Sequence, residues 1–161
     1  MRNQARRGSW FLHRPGPAAV SAVLALGLLV APVAAAAATT AVTLSHPWMR
    51  FLTPRIPAAG YFTLHNNGGQ PVVLTGAASP DCNQLMLHRS VEGSGTARMV
   101  MVPAVTVPAH GSVTFQPGGY HLMCMLPSAA IAPGKSVPVS LRFRDGSALS
   151  ASFPVYGAKG K

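Results

Sequence analysis

The chain has 161 residues, 48% of them hydrophobic and 10% charged, with 16 Gly and 15 Pro, a size that holds one compact domain plus a processing segment and excludes a large multidomain enzyme. Its 13 Lys and Arg against 3 Asp and Glu give a formal net charge of +10, but Arg2, Arg6, Arg7 and Arg14 all lie near the start. From Thr39 onward nine basic residues face Asp81, Glu92 and Asp145, a net +6 that is thinly spread and forms no Lys/Arg stripe interleaved with aromatics, which removes the physical basis for nucleic-acid binding.

The opening segment reads as an address. Its arginines precede a charge-free run from Ala18 to Val30 and then the alanines Ala34 to Ala38, the basic region, short apolar core and small-residue cleavage site of a secretory signal peptide. That run falls short of the roughly twenty strongly apolar residues of a spanning helix, so cleavage is expected and a retained anchor is not. Arg6-Arg7, followed by Gly8-Ser9, fits a twin-arginine signal poorly. The expected organisation is a signal peptide over residues 1–38, one exported domain over 39–156 and a disordered tail over 157–161.

Through the exported domain, strand-like runs follow one another at Ala41 to Ser45, Gly60 to His65, Val72 to Ala77, Gln84 to His88, Arg98 to Val102, Ser112 to Phe115 and Tyr120 to Leu126. Turn chemistry separates them: Asn66-Asn67-Gly68-Gly69, Pro108-Ala109-His110-Gly111, Pro117-Gly118-Gly119 and Pro133-Gly134-Lys135. The last two strands alternate most cleanly, with Val137, Val139, Leu141 and Phe143 before Asp145-Gly146 and Leu149, Ala151, Phe153 and Val155 after it. Asp-Gly between alternating runs predicts a hairpin with a type I′ turn. No helical period longer than two turns interrupts the pattern. Many short strands with Gly/Pro turns predict an all-β antiparallel sandwich, cupredoxin-like or immunoglobulin-like.

Acid and base chemistry is poorly supplied, because three scattered carboxylates do not make the paired groups that hydrolysis uses. There is no G-x-S-x-G elbow and no phosphate-cradling loop. Cys82 and Cys124 are the only cysteines. They permit one disulfide and argue against a Cys-rich zinc site, while two buried free thiols remain an equal alternative at this stage.

Methionine and histidine are concentrated instead: Met86, His88, Met99, Met101, His121, Met123 and Met125 fall on segments read as strands. Thioether sulfur together with imidazole nitrogen suits soft monovalent copper, whereas zinc prefers thiolate, imidazole and carboxylate, and calcium or magnesium want oxygen. Strand alternation puts His121, Met123 and Met125 on one face and Leu122, Cys124 and Leu126 on the other, which reads as core. A blue-copper site needs a cysteine ligand, and its histidine usually follows that cysteine; none follows Cys124.

In order, His88, Met99, His121 and Met123 leave ten, twenty-one and one intervening residues. This spacing resembles the H-x10-M-x21-H-x-M signature of the periplasmic copper chaperone family PCu(A)C. Trp48-Met49-Arg50, Ala58-Ala59-Gly60-Tyr61-Phe62-Thr63-Leu64, Ala78-Ser79-Pro80 and Pro117-Gly118-Gly119-Tyr120 are similar to that family's landmarks, over about Val42 to Val155. The resemblance implies a cupredoxin-like sandwich in the periplasm, a non-enzymatic carrier holding one Cu(I) through His88, Met99, His121 and Met123. It implies delivery to the CuA centre of cytochrome c oxidase, by a protein expected to be monomeric. His46 stands where the family often has an acidic residue, the cysteines occupy places often filled by others, and the tail lacks the His/Met-rich extension that holds a second, Cu(II) ion in some members.

Met86, Met101 and Met125 share strand parity with the four residues of the signature and are expected to shield the site or substitute for a ligand. His65 and His110, beside turns, are expected to be solvated. The competing readings are an immunoglobulin-like structural or adhesion module whose methionines fill its core, and an electron-transfer copper protein.

Overall fold

The computed structural model describes residues 41–93 and 96–158, with the side chains of 92–97 outside that description. The signal peptide expected over 1–38 and the last three residues of the expected tail lie outside the described residues. Among the described residues there are strands and no helices: β1 Val42–Arg50, β2 Ala58–Asn66, β3 Val72–Ala78, β4 Cys82–Gly93, β5 Thr96–Met101, β6 Val105–Val107, β7 Ser112–Phe115, β8 Tyr120–Pro127, β9 Ser136–Phe143 and β10 Ala148–Tyr156.

These form one sheet in the order β5-β4-β8-β7-β2-β1-β10-β9-β3-β6, with β8 also pairing β2. Neighbours are antiparallel except β1 with β10 and β7 with β8. The sheet curls on itself so that one hydrophobic cluster joins its two halves: Phe62, Leu85, Leu87, Phe115 and Leu122 from one side, Leu74, Val107, Val137, Val139, Leu141 and Phe153 from the other. Phe62 stacks on Phe115 with ring centroids 4.3 Å apart and meets Phe153 edge-on at 5.8 Å. The fold is the all-β sandwich that alternation predicts.

Period-two patterning explains the element that carries most of this core. Along β9, Val137, Val139, Leu141 and Phe143 are buried while their neighbours face out, and β10 returns antiparallel to it. The turn between them differs from the expected one. Phe143 N donates to Ser147 O (2.9 Å) and Gly146 N to Phe143 O (3.1 Å), and of the three linking residues only Gly146 has positive φ, at 85°. This is a three-residue loop, a tight turn closed by a left-handed glycine, which Asp-Gly serves as well as it serves a type I′ turn. Asp145 Oδ1 accepts from Ser147 N (2.9 Å) and Ser147 Oγ (2.7 Å), so the aspartate caps the turn it was read as forming.

Other departures have local causes. The three-residue β6 was not anticipated, because Val105–Val107 is too short to show alternation, yet it pairs β3 through Val72↔Val107 and Leu74↔Val105. The first strand continues past Ser45 to Arg50 through a register shift between Ser45 and Trp48, where His46 takes a φ of 52°. Leu126, expected in the core, is 73% exposed, because its φ of 47° breaks the alternation of β8 at its end.

Asn66 shows how turns are tied down. It is buried, and its Nδ2 donates to Gln70 O (2.8 Å) and Pro108 O (3.0 Å) while its Oδ1 accepts from Gly68 N (3.0 Å). One satisfied amide thus joins the loop after β2 to the loop after β6.

Cys82 and Cys124 form a disulfide with Cα atoms 5.3 Å apart, which settles their pairing. Both are buried, and the bridge links β4 to β8 from the core side. With 42 residues of sequence separation, the chain-entropy argument assigns it about 4 kcal/mol, of which about 2–4 kcal/mol is commonly realised. Urea unfolding of the protein with and without reductant should show a loss in that range; an unchanged midpoint would contradict it.

Candidate metal centre

Three adjacent strands, in the order β5-β4-β8, carry every residue of the His/Met group. Leu85 and Leu87 of β4 and Leu122 and Cys124 of β8 point into the core, so alternation turns Met86, His88, Met123 and Met125 to the other face with His121. Register then decides which side chains meet. His88 lies directly across from His121 on β8 and from Met101 on β5; Met86 lies across from Met123, and Ser90 from Met99. The His88 and His121 rings are 5.9 Å apart at 60°.

The two imidazoles are in an unusual state for buried polar groups. His121 is only 4% exposed. Its Nδ1 lies 3.2 Å from the carbonyl of Gly119, and since a carbonyl only accepts, Nδ1 carries the proton and Nε2 keeps its lone pair. That Nε2 is buried with no partner, and so is Nδ1 of His88. Leaving a buried acceptor unsatisfied costs about 1–3 kcal/mol, and among the described residues these two ring nitrogens are the buried side-chain nitrogens or oxygens left so. Two unpartnered ring nitrogens on facing residues, one of them with its lone pair free, suit a cation.

The carbonyl that orients His121 comes from a turn built for it. Gly119 N donates to Gln116 O (2.9 Å), and Gly118, with φ of 80°, takes the position that only glycine occupies without strain in a type II turn after Pro117. The Pro-Gly-Gly run preceding His121 was legible as a turn, but its part in fixing the tautomer was not.

His121, Met123, Met99 and Ser90 form one wall of a cavity of about 310 Å³, and the segment after β1 supplies Leu52, Ile56 and Pro57 to the other, with Arg50 and Tyr61. Nothing in the sequence of this segment announced that it lines a cavity with His121. Tyr61 packs tilted against Trp48, ring centroids 4.5 Å apart, and lies beneath Arg50, whose guanidinium carbon is 5.8 Å from its ring. Burial raises the Tyr61 pKa, offset in part by Arg50. Met99 and Met101 are 61% and 67% exposed.

Of the four residues singled out by spacing, Met99, His121 and Met123 line the cavity and His88 faces His121 from the next strand. Met99 is less directly placed than Met101, which is the cross-strand partner of His88. Among the described residues no three of His, Cys, Asp and Glu converge, and both cysteine sulfurs are bonded to each other on the core side. The donors on this face are imidazole nitrogen and thioether sulfur.

Comparison with solved structures identifies this architecture as that of a PCuAC domain. The copper-bound PCuAC domain from PmoF2 is 23% identical, with a TM-score of 0.61 over 73% of this chain and 93% of that one. The copper(I)-bound solution structure of DR1885 from Deinococcus radiodurans is 34% identical, with a TM-score of 0.58 over 71% of this chain and 76% of that one. In sequence, residues 42–155 match the family described as "Putative lipoprotein LpqE-like", and the chain belongs to that family. A relative from Leifsonia xyli subsp. xyli, "Putative lipoprotein Lxx21020", is 30% identical over 115 residues, 71% of this chain and 69% of that protein.

Burial lowers the pKa of His88 below the ordinary histidine value, and a charged His121 beside it would push the same way. A lowered native pKa means that the unfolded chain takes up the proton first as pH falls. This residue therefore favours the folded state above the ordinary histidine range and ceases to as pH drops through that range. In the metal-free protein, imidazole ¹⁵N NMR should show His88 titrating below an unperturbed histidine and His121 as the Nδ1–H tautomer; a His88 midpoint at or above the ordinary value would contradict the burial argument.

Proposed function

We propose that the chain is an exported copper(I) carrier that holds one ion through His88, Met99, His121 and Met123. The observation that carries this is the pair of buried, partnerless ring nitrogens on His88 and His121, set on the same sheet face as the thioethers. A soft monovalent ion is the one that accepts both donor types. The copper(I)-bound state of the DR1885 relative supports the same ion here.

The donor set suits an oxidising compartment. Thioethers carry no proton at ordinary pH and form no disulfides, so they keep their donor role where a thiol pair would be oxidised. In this chain the thiols are already joined. The reading is a carrier and not a catalyst, which rests on the resemblance to PCu(A)C. Export agrees with the lipoprotein descriptions of the relatives, although both cysteines of this sequence are in the bridge and neither is available to carry a lipid. Delivery to the CuA centre of cytochrome c oxidase by a periplasmic monomer is the finer reading, resting on the resemblance to PCu(A)C.

Titration of the reduced-copper form with a competing Cu(I) chelator tests the site. One equivalent should bind, and His88→Ala, His121→Ala and Met123→Ala should each weaken binding at least tenfold while the fold, read by far-UV circular dichroism, persists. Absence of stoichiometric binding in the wild type would favour the structural-module reading, and a strong thiolate-to-copper absorption on adding Cu(II) would favour electron transfer.

The register makes a further distinction between the two exposed methionines. With Met101 across from His88 and Met99 across from Ser90, Met101 is placed to take over when Met99 is lost. Met99→Leu alone should cost little affinity, and Met99→Leu/Met101→Leu together should remove one sulfur neighbour from the X-ray absorption spectrum. A full loss of that sulfur in Met99→Leu alone would restrict the role to Met99.

A further inference from the structure

We propose that Ser45, His46 and His65 form a second, separate metal site, for a divalent ion with imidazole preference such as Cu(II) or Zn(II). His65 Nε2 lies 2.9 Å from Ser45 Oγ, and His46 Nδ1 lies 3.2 Å from the same oxygen. Two ring nitrogens that each touch one hydroxyl are within about 6 Å of each other. Metal–nitrogen bonds of about 2.0–2.1 Å require them to come somewhat closer, a change that rotation of the exposed His46 side chain supplies.

The backbone shows why these groups converge. In a regular strand Ser45 and His46 would point to opposite faces. The register of β1 against β2 shifts between Ser45 and Trp48, and His46 stands in this break with a φ of 52°. That left-handed conformation is unfavourable for any residue with a Cβ, and Pro47 restricts the preceding residue further. The strained turn brings the His46 imidazole back onto the Ser45 hydroxyl, where His65 arrives from the neighbouring strand. A bulge that re-aims a side chain at the expense of strain is a feature that marks sites.

The donor set selects the ion class. Two imidazoles and a hydroxyl, without thioether, thiolate or carboxylate, suit borderline divalent ions and suit neither Cu(I) held by sulfur nor calcium and magnesium. The site is distinct from the first. Ala59 of β2 pairs with Met123, and His65 lies six residues further along the same strand, about 20 Å away.

Zn(II), which has little affinity for thioethers, is the probe. On the full exported domain, one equivalent of Zn(II) should shift the imidazole NMR signals of His46 and His65. His46→Ala and His65→Ala should each weaken Zn(II) binding at least tenfold by calorimetry, with binding unchanged in His88→Ala. His46→Gly provides the control for folding, because glycine accepts the left-handed φ: it should raise Tm by a few degrees while losing the ion. Cu(II) bound to the same protein should give an electron paramagnetic resonance spectrum with two nitrogen couplings. No Zn(II) binding, binding indifferent to His46 and His65, or binding lost with His88 would each overturn the proposal. Because Zn(II) and Cu(I) are read separately, failure here is distinguishable from failure of the copper(I) reading.

Discussion

The pairing of β4 with β8 is the constraint on which the rest depends. It sets Leu87 against Leu122 and His88 against His121 in consecutive rows, so one register places apolar side chains in the core and the imidazoles opposite each other outside it. A slip of a single residue would exchange the two faces of a strand, driving histidine and methionine into the core and exposing leucine. Burial of Leu85, Leu87 and Leu122 therefore holds the candidate metal centre in place without touching it. The disulfide acts on the same two strands: by joining Cys82 to Cys124 on the core side, it opposes a slip that would separate His88 from His121.

The bridge also divides the chain's sulfur chemistry. Sulfur that can form a disulfide is buried and bonded, and thioether sulfur, which forms none, is displayed on the opposite face. For Cys124 the separation follows from strand alternation, since it stands between Met123 and Met125, whereas Cys82 shares the parity of Met86 and His88 and reaches the core at the first residue of β4. The Gly119 carbonyl makes a comparable contribution by holding the proton of His121 on Nδ1. Without that contact either ring nitrogen could carry the proton, and the inward one could be a donor instead of an acceptor.

How much of this was legible in the sequence depended on the range of the interaction. Alternation through Val137, Val139, Leu141 and Phe143 identified a half-buried strand because the pattern is local. His88, Met99, His121 and Met123 were marked by their resemblance to the PCu(A)C signature and not by any local pattern. Short or irregular pieces were not legible: β6 has three residues, and the Ser45–Trp48 break depends on a left-handed histidine before proline, which no propensity favours. The cysteine pairing was undecidable, because spacing does not report Cα separation. His65 read as solvated from its position beside a turn, whereas the structure half-buries it against Ser45. The cavity wall at Leu52, Ile56 and Pro57 is irregular loop with no periodic signal. Met101 was visible as sharing the face, but its place opposite His88 came only from the register.

That register carries a consequence for how a soft ion would leave such a site. His121 is buried and fixed by Gly119, whereas Met99 and Met101 are mostly exposed. A fixed imidazole loses little side-chain entropy on binding an ion, while an exposed methionine with three rotatable bonds loses more and regains it on release. The donor set is thus graded from a preorganised, water-poor end to a mobile, wet end. On the copper reading, the exposed thioethers of Met99 and Met101 are the donors placed to detach first, with the ion left on the histidines and the half-buried Met123 until an incoming ligand replaces the open positions. The cavity of about 310 Å³ beside His121 and Met123 is far larger than one ion and leaves room for that ligand to approach from the thioether side. Stepwise exchange of this kind keeps a reduced ion coordinated throughout, which a carrier in an oxidising space requires and a closed four-ligand cage would obstruct.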